Sequence, residues 1–274
     1  MNSSSPRSSP KIESEESTLR LAVLIDADNA QAAVIEGLLA EIARFGEATV
    51  RRIYGDFTST ASSSWKKVLQ RYAIKPVQQF AYSTGKNATD SSLIIDAMDL
   101  LYTRKFDGFC LITSDSDFTG LAMKLREEGL KVYGFGEEKT PEAFRNACHK
   151  FVFTEVIRSS TVADAAPAPA KVARKRRSSR AAKAVEPAVE PTAPKPEFPK
   201  SFVLAALEKS MGDAEWVPLG IFGSYLTKLQ PDFDSRRYGY KKLSDLVKAK
   251  TDLFVTEERQ PPGSNQKVLY LRAR

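Results

Sequence analysis

The chain has 274 residues, of which 42% are hydrophobic and 27% charged, a composition typical of a soluble protein with one large domain or two smaller ones. No apolar stretch approaches the roughly 20 residues that a membrane-spanning helix requires. The serine-rich and then acidic N-terminus lacks the apolar core of a signal peptide, so we expect a cytoplasmic protein.

The net charge of +7 is distributed unevenly along the chain. Residues 1–157 carry 19 lysines and arginines against 21 aspartates and glutamates, a net charge of −2. Residues 158–274 carry 22 against 13, a net charge of +9. Because basic segments bind polyanions through the release of counterions, the second part is predicted to bind nucleic acid without sequence specificity.

Residues 1–18 are predicted to be disordered, and strand and helix patterns then alternate up to residue 157. Short apolar runs rich in β-branched residues indicate buried strands, and apolar residues at intervals of three and four indicate helices. This alternation predicts an α/β domain, residues 19–157, in which helices cover both faces of a parallel sheet. The predicted strands are 20–25, 48–54, 75–81, 108–113, 130–135 and 151–153. The predicted helices are 31–45, 61–72, 89–103, 118–128 and 141–149.

Residues 158–198 are rich in alanine, proline, lysine and arginine, which predicts a semi-extended linker rather than a folded domain. A run of four basic residues lies within this linker. The run is consistent either with a solvated spacer or with a nonspecific tether for nucleic acid, and both interpretations stay open. The four residues are Arg174, Lys175, Arg176 and Arg177.

Residues 199–274 predict a second, small domain. Three apolar patterns at helical spacing begin near Phe202, Ile221 and Tyr240. Two apolar runs then flank a turn that contains Pro-Pro-Gly-Ser-Asn. Three short helices followed by a hairpin form a winged-helix layout, which belongs to the helix-turn-helix class.

Two acidic turns follow apolar runs that are predicted to be buried strands. Residues 21–25 lead into Asp26, and residues 109–113 lead through Ser114 into Asp115 and Asp117. Because ligands of open parallel sheets bind at the carboxyl ends of the strands, we expect these carboxylates to share one crevice. Two unit charges about 4 Å apart repel by roughly 4 kcal/mol at an effective dielectric constant near 20, so a divalent cation is expected to neutralise them. Oxygen ligands favour Mg²⁺ or Mn²⁺.

Asp90 and Asn29 extend this candidate site. Asp90 lies at the start of the helix predicted for residues 89–103, where a carboxylate by itself is better explained as a cap of the helix. Together with the two acidic turns, Asp90 is more consistent with a shared metal site. Asn29 follows the first turn and can hydrogen-bond a phosphate or a metal-bound water. Asp28 is either a further ligand or the cap of the following helix, and we favour the cap.

No other group of residues in the sequence predicts catalysis. His149 is the single histidine and cannot build a histidine-based nuclease, and no serine or cysteine nucleophile is paired with a base. Cys110 and Cys148 lie in apolar surroundings without metal-ligand spacing, so we expect buried, reduced thiols.

Residues 19–157 resemble the NYN domain of the PIN-like nuclease superfamily, in its LabA-like (DUF88) branch. The resemblance rests on the segments VLIDADN, YGDF, TGKNATD with LIIDAMDLLY, CLITSDSDF and GLKVYGFGEEKTPEAF, in this order. The C-terminal domain resembles the OST-HTH, or LOTUS, domain through the segment GIFGSYLTKLQPDFDSRRYGYKKLSDLV. The combination of these two domains is typical of such proteins.

The first resemblance implies a PIN-like parallel sheet, a carboxylate site for one or two divalent metals, and endonucleolytic cleavage of RNA. Matched by position, the implied metal-binding and catalytic residues are Asp26, Asp90, Asp115 and Asp117, with Asn29 beside them.

The second resemblance implies binding of RNA, either single-stranded or structured, such as a G-rich quadruplex. Cationic side chains between aromatic ones supply charge and stacking surfaces for RNA. Tyr240 is either such a stacking ring or part of the core, since it shares helical spacing with Leu243. The candidate contacts are Arg236, Arg237, Tyr238, Lys241 and Lys242.

Three functions are compatible with the sequence. The first is a Mg²⁺- or Mn²⁺-dependent endoribonuclease whose basic linker and winged helix bind RNA while the acidic crevice hydrolyses it. The second is a noncatalytic RNA-binding regulator with an NYN scaffold, against which the four retained carboxylates argue. The third is a phosphatase or nucleotide hydrolase. The basic second half argues against it, because a small substrate does not require such a segment. The sequence leaves open whether DNA is a substrate and whether the OST-HTH domain binds RNA or a protein partner.

Overall fold

Six parallel strands form one sheet in the N-terminal domain. The computed structural model describes residues 18–58, 63–80, 88–158, 196–212, 214–260 and 267–274. The strands are β1 (Arg20–Asp26), β2 (Glu47–Gly55), β3 (Lys75–Gln78), β4 (Gly108–Ile112), β5 (Lys131–Gly136) and β6 (Lys150–Phe153). Their spatial order is β3-β2-β1-β4-β5-β6, and every neighbouring pair is parallel.

β1 and β4 form the centre of the sheet because both of their faces are apolar. Residues 21–25 of β1 are fully buried, and β4 is buried throughout. Since successive side chains of a strand point to opposite faces, one continuous apolar run fills the cores on both sides. Ala22 and Leu24 belong to one core, whereas Val23 and Ile25 belong to the other.

Helices cover both faces of this sheet. They are α1 (Ile35–Ile42), α2 (Ser63–Arg71), α3 (Ala88–Tyr102), α4 (Thr119–Glu127) and α5 (Glu142–Ala147). Side chains of α3, α4 and α5 close one core, and those of α1 and α2 close the other.

The helix predicted for residues 31–45 is shorter than expected. Gln31 has an extended backbone, with φ −110° and ψ 131°, and residues 32–34 form a 3₁₀ turn before α1. Gln31 holds the cap position of the 3₁₀ turn and Val34 that of α1, so the interpretation of Asp28 as a helix cap is wrong. The extended backbone at Gln31 connects the turn after β1 to the 3₁₀ turn before α1.

The C-terminal domain combines three helices with a small antiparallel sheet. Its elements are α6 (Lys200–Met211), β7 (Val217–Pro218), α7 (Leu219–Leu229), α8 (Leu243–Ala249), β8 (Phe254–Arg259) and β9 (Val268–Ala273). The strand order is β7-β9-β8, so a short strand joins the predicted hairpin. The predicted fold class, a PIN-like parallel α/β sheet with helices on both faces plus a small winged-helix domain, is confirmed. Among the helices in the described part of the chain, none combines the length and the apolar character needed to cross a membrane.

The third helix of this domain begins at Leu243, later than the pattern near Tyr240 indicated. Gly239 has a φ of 88°, a left-handed conformation that glycine adopts without steric cost, and it ends the 3₁₀ turn at residues 235–238. Lys242 is extended before α8 starts. Tyr240 lies between these points, where its side chain packs half-buried against the core of the domain.

The segment 231–237 of the C-terminal domain lies against the edge of the large sheet. The backbone N–H of Phe151 in β6 donates to the carbonyl of Pro231 at 2.9 Å. Beside it, Lys150 Nζ donates to the carbonyl of Phe233 at 2.8 Å. Because β6 is an edge strand, this contact covers backbone groups that an open edge exposes to other chains.

Arg236 joins the two domains by pairing with two buried carboxylates. Its Nη2 lies 2.9 Å from Glu41 Oε1 on α1 and 2.7 Å from Asp234 Oδ2 in its own domain. Burial opposes ionisation of Asp234, but the hydrogen bonds from Arg236 outweigh it and lower the pKa of this carboxyl. Arg236 therefore holds a charged pair of carboxylates together across the boundary. Two further ion pairs cross the boundary, Arg145 with Asp232 and Arg237 with Glu138.

We expect Arg236→Ala to lower the free energy of unfolding by about 1–3 kcal/mol, because Glu41 and Asp234 lose the cation they share. Urea unfolding followed by circular dichroism measures this change. Arg71→Ala is the matched control, because the pair of Arg71 with Glu36 is exposed, at 68% and 65% of the two side chains. Its expected effect is within about 0.5 kcal/mol. Equal losses in the two variants contradict the assigned role of Arg236.

Candidate functional site

The strand order places the predicted carboxylates at a switch point of the sheet. From the central pair β1 and β4, the chain adds β2 and β3 on one side and β5 and β6 on the other. At such a point a crevice opens at the carboxyl ends of the strands. β1 ends at Asp26, and Asp115 follows the end of β4 by three residues. The two acidic turns therefore meet at the position where ligands of this sheet type bind.

Asp26 is fully buried, and both of its oxygens are hydrogen-bonded. Oδ1 accepts from the backbone N–H of Asp28 at 3.0 Å, and Oδ2 accepts from Asn29 Nδ2 at 2.7 Å and from Thr113 Oγ1 at 2.9 Å. Burial raises the pKa of Asp26, and the hydrogen bonds from Asn29 and Thr113 oppose this rise. Asp26 thus orients the side-chain amide of Asn29, which the sequence analysis had predicted to lie beside it.

Thr113 links the two acidic turns, a role that the sequence reasoning missed. Its hydroxyl donates to Asp26 and accepts from the backbone N–H of Asp115 at 3.1 Å. A hydroxyl residue directly before an acidic turn was the available signal, but only the pairing of β1 with β4 gives it a partner. The neighbouring Ser114 accepts from the N–H of Glu137 at 2.9 Å, so its hydroxyl connects β4 to the end of β5.

Asp90, Asp115 and Asp117 converge, and we call these three residues the acidic cluster. One carboxylate oxygen of each lies within 4.8 Å of the others. Asp90 extends from the first turn of α3, and Asp115 accepts from the backbone N–H of Asp117 at 2.9 Å. Burial raises the pKa of Asp90 to about 6, and the negative charges of Asp26 and Asp115 add to this rise. The fourth predicted carboxylate, Asp26, adjoins the cluster through Thr113.

The acidic cluster fits a hard divalent cation. Its donor atoms are carboxylate oxygens, which Mg²⁺ and Mn²⁺ prefer over nitrogen or sulfur ligands. Burial is the main cause of the raised pKa of Asp90, and the negative charges of Asp26, Asp115 and Asp117 add to it, so a cation in the cluster relieves part of this rise. The cluster can therefore hold a metal ion, with Asp26 and Asn29 beside it.

Three of the predicted RNA contacts are engaged within the chain. Only 22% of the Arg236 side chain and 15% of the Arg237 side chain are exposed. The guanidinium of Arg237 lies 4.0 Å from the ring centroid of Phe153 in β6, a cation–π contact. Tyr238 packs edge-on against Phe198. These side chains contact the other domain or the core of their own domain, and their contact with RNA stays a prediction.

Lys241 and Lys242 are exposed, as an RNA contact requires. The sequence cannot separate them from Arg236 and Arg237, because all four cations lie within seven residues of one another and only the docking of the domains distinguishes them. The basic run of the linker falls outside the described residues. Its members are Arg174, Lys175, Arg176 and Arg177.

The comparison with protein families agrees with this architecture. The family model of the NYN domain matches residues 20–157, which is half of the chain. The chain belongs to the NYN domain family. The NYN domain is part of a PIN-like nuclease superfamily, so the acidic cluster lies in a nuclease-type fold. The model of the OST-HTH/LOTUS domain matches residues 194–266, which assigns the winged helix to a domain type associated with RNA binding.

Three solved structures are similar to parts of the chain. An NMR structure from Nitrosomonas europaea is 64% identical and covers 37% of this chain and 92% of its own, with a TM-score of 0.28. A crystal structure of a protein of unknown function from Vibrio parahaemolyticus is 15% identical and covers 50% and 94%, with a TM-score of 0.43. An NMR structure from Chromobacterium violaceum is 30% identical and covers 29% and 84%, with a TM-score of 0.24. No curated protein matches the chain.

We expect stability in the absence of metal to fall as the pH rises from about 4 to about 6. Asp90 loses its proton near 3.8 in the unfolded chain but keeps it up to about 6 in the fold, so the folded state binds more protons in this window. Asp90→Asn should remove this part of the pH dependence and stabilise the protein at pH 7 by of order 1 kcal/mol, after discounting for solvent screening.

Urea unfolding of metal-free protein across this pH window measures the effect. Asp99→Asn is the matched control, because Asp99 is exposed on the same helix, outside the acidic cluster. The assignment fails when Asp90→Asn and the wild type share the same dependence on pH.

Proposed function

We propose that the protein is a metal-dependent endoribonuclease, which binds RNA through its basic second half and hydrolyses phosphodiester bonds at the acidic cluster. The observation that carries this proposal is the convergence of Asp90, Asp115 and Asp117 at the switch point of an NYN domain. The OST-HTH/LOTUS domain supports RNA as the substrate class. A cytoplasmic location belongs to the same proposal.

In this proposal some residues of the NYN domain bind the metal, and others support the residues that bind it. Asp90, Asp115 and Asp117 are the proposed ligands of Mg²⁺ or Mn²⁺, with Asp26 and Asn29 beside them. When bound, such an ion lowers the pKa of a water molecule and neutralises the charge that builds on the phosphate oxygens. The proposed reaction is direct hydrolysis by water.

The charge distribution of the chain is consistent with delivery of RNA to an acidic site. A cluster of carboxylates repels a polyanion, and residues 1–157 have a net charge of −2. The remaining residues, with a net charge of +9, offset this repulsion by binding the phosphate backbone. In this proposal the exposed Lys241 and Lys242 and the basic run of the linker bind RNA, while Arg236 and Arg237 dock the domain that carries the two lysines.

Cleavage of end-labelled single-stranded and structured RNAs tests the function, with Mn²⁺, Mg²⁺ or EDTA in parallel. We expect cleavage in either metal and none in EDTA. Asp26→Asn and Asp115→Asn should each reduce the rate by at least about 100-fold, because one disturbs the support of the site and the other removes a proposed ligand. Asp99→Asn should cleave at the rate of the wild type. Cleavage of a DNA of the same sequence, compared with that of the RNA, measures whether the enzyme requires ribose.

Cleavage that survives both substitutions, or that never occurs, contradicts the nuclease assignment. RNA binding in EDTA then favours the noncatalytic regulator. Hydrolysis of a small phosphomonoester without cleavage of RNA instead favours a phosphatase.

A further inference from the structure

The two domains enclose a groove of about 350 Å³, which we call the domain groove. The end of α1 and the first residue of β6 form its wall on the NYN side. On the other side the wall is formed by α7, by the segment 231–237 and by the residues that lead into α8. Neither domain has this groove by itself, because both walls are required.

Basic residues outnumber acidic ones in the lining of the domain groove. The two carboxylates, Glu41 and Asp234, are buried and are both paired with Arg236. Glu41 pairs with Arg44 as well as with Arg236, and five basic residues line the groove against two carboxylates, so the lining keeps an excess of positive charge. The basic residues of the lining are Arg44, Lys150, Arg236, Lys241 and Lys242.

Lys241 and Lys242 carry most of this excess charge toward solvent. Both are exposed, and neither forms an ion pair with another residue of the described ranges. Arg44 faces them from the NYN domain, where it pairs with Glu41 at 3.2 Å while 67% of its side chain stays exposed. Lys150 is fixed by its hydrogen bond to the carbonyl of Phe233, and burial lowers the pKa of its ammonium group. The groove thus combines exposed cations with a partly buried floor fixed by hydrogen bonds.

We propose that the domain groove binds the phosphate backbone of RNA, with Lys241, Lys242 and Arg44 as the contacting cations. Ammonium and guanidinium groups bind phosphate oxygens through charge-assisted hydrogen bonds. The aromatic ring of Phe45 also lines the groove, where it stacks on Tyr133 at 4.5 Å between ring centroids. The inference rests on the proposed function, because it names where the RNA substrate of the acidic cluster is held.

The domain groove and the acidic cluster lie at opposite ends of the sheet. Lys150 begins β6 and Phe45 precedes β2, so the groove is near the amino ends of the strands. The acidic cluster is at the carboxyl ends, roughly 20 Å away for strands of about six residues. An RNA strand bound in the groove must span this distance to reach the cluster. The groove therefore acts as an anchor for the substrate and leaves the choice of the cleaved bond to the crevice.

Fluorescence anisotropy with a labelled single-stranded RNA in EDTA tests the groove, since the absence of metal prevents cleavage. The dissociation constant is measured over a series of potassium chloride concentrations with the full chain. Each phosphate contact to a single strand contributes about 0.7 to the slope of log K against log salt. We expect the slope to decrease by about 1.4 in the double variant Lys241→Ala with Lys242→Ala, and by about 0.7 in Arg44→Ala.

The matched control is the double variant Lys105→Ala with Lys209→Ala. It removes the same charge from two exposed lysines outside the groove, so its slope should equal that of the wild type. An unchanged slope in the Lys241 and Lys242 variant, or an equal decrease in the control, overturns the groove as an RNA site. Displacement of the RNA by equimolar adenosine monophosphate also overturns it, because the ligand is then a free nucleotide.

The cleavage assay separates this failure from failure of the proposed function. If the wild type cleaves RNA with metal but the salt slope is unchanged in the Lys241 and Lys242 variant, the groove is refuted and the nuclease is supported. Absence of any RNA binding by the wild type refutes both. Loss of the slope in the groove variants without any cutting by the wild type supports the groove and refutes the nuclease.

Discussion

The hydrogen bond between Thr113 and Asp26 is the contact on which the arrangement of the site depends. It joins the ends of the two central strands, and the same threonine hydroxyl accepts from the backbone of Asp115. Asp26 tolerates complete burial because Thr113, Asn29 and a backbone N–H satisfy its oxygens, whereas an unpaired buried carboxylate is costly. With this support fixed, three other carboxylates converge within 4.8 Å despite their mutual repulsion.

The four cations between residues 236 and 242 fall into two groups, one paired across the domain boundary and one exposed. Arg236 and Arg237 are paired with carboxylates of the NYN domain, so they orient the winged helix along the edge of the sheet. A few residues further along the chain, Lys241 and Lys242 stay exposed. Of these four cations, docking uses Arg236 and Arg237 and leaves the two lysines exposed beside the boundary between the domains. The same interface covers the edge strand β6, which limits pairing with other chains.

The elements with strong local patterns were predictable, and those governed by backbone conformation were less so. The apolar run of β1 and the helical spacing of α3 fix these elements locally, because the period of apolar residues reports which faces are buried. The late starts of α1 and α8 were missed. They depend on the extended Gln31 and the left-handed Gly239, and local periodicity does not report such conformations. Both misses lie at turns, where one residue changes the direction of the chain.

The sequence by itself determined that the chain has an acidic α/β domain and a basic winged helix, and that Asp26 and Asp115 lie at the ends of strands. These properties are local, since residue type and spacing decide burial, turn and charge. Only the tertiary structure decided that Thr113 connects the two acidic turns and that Asp90, Asp115 and Asp117 converge. The tertiary structure also decided which cations form ion pairs across the boundary between the domains. These outcomes depend on contacts between residues far apart in the chain, and the pairing of β1 with β4 and the packing of two domains are not encoded in any single segment.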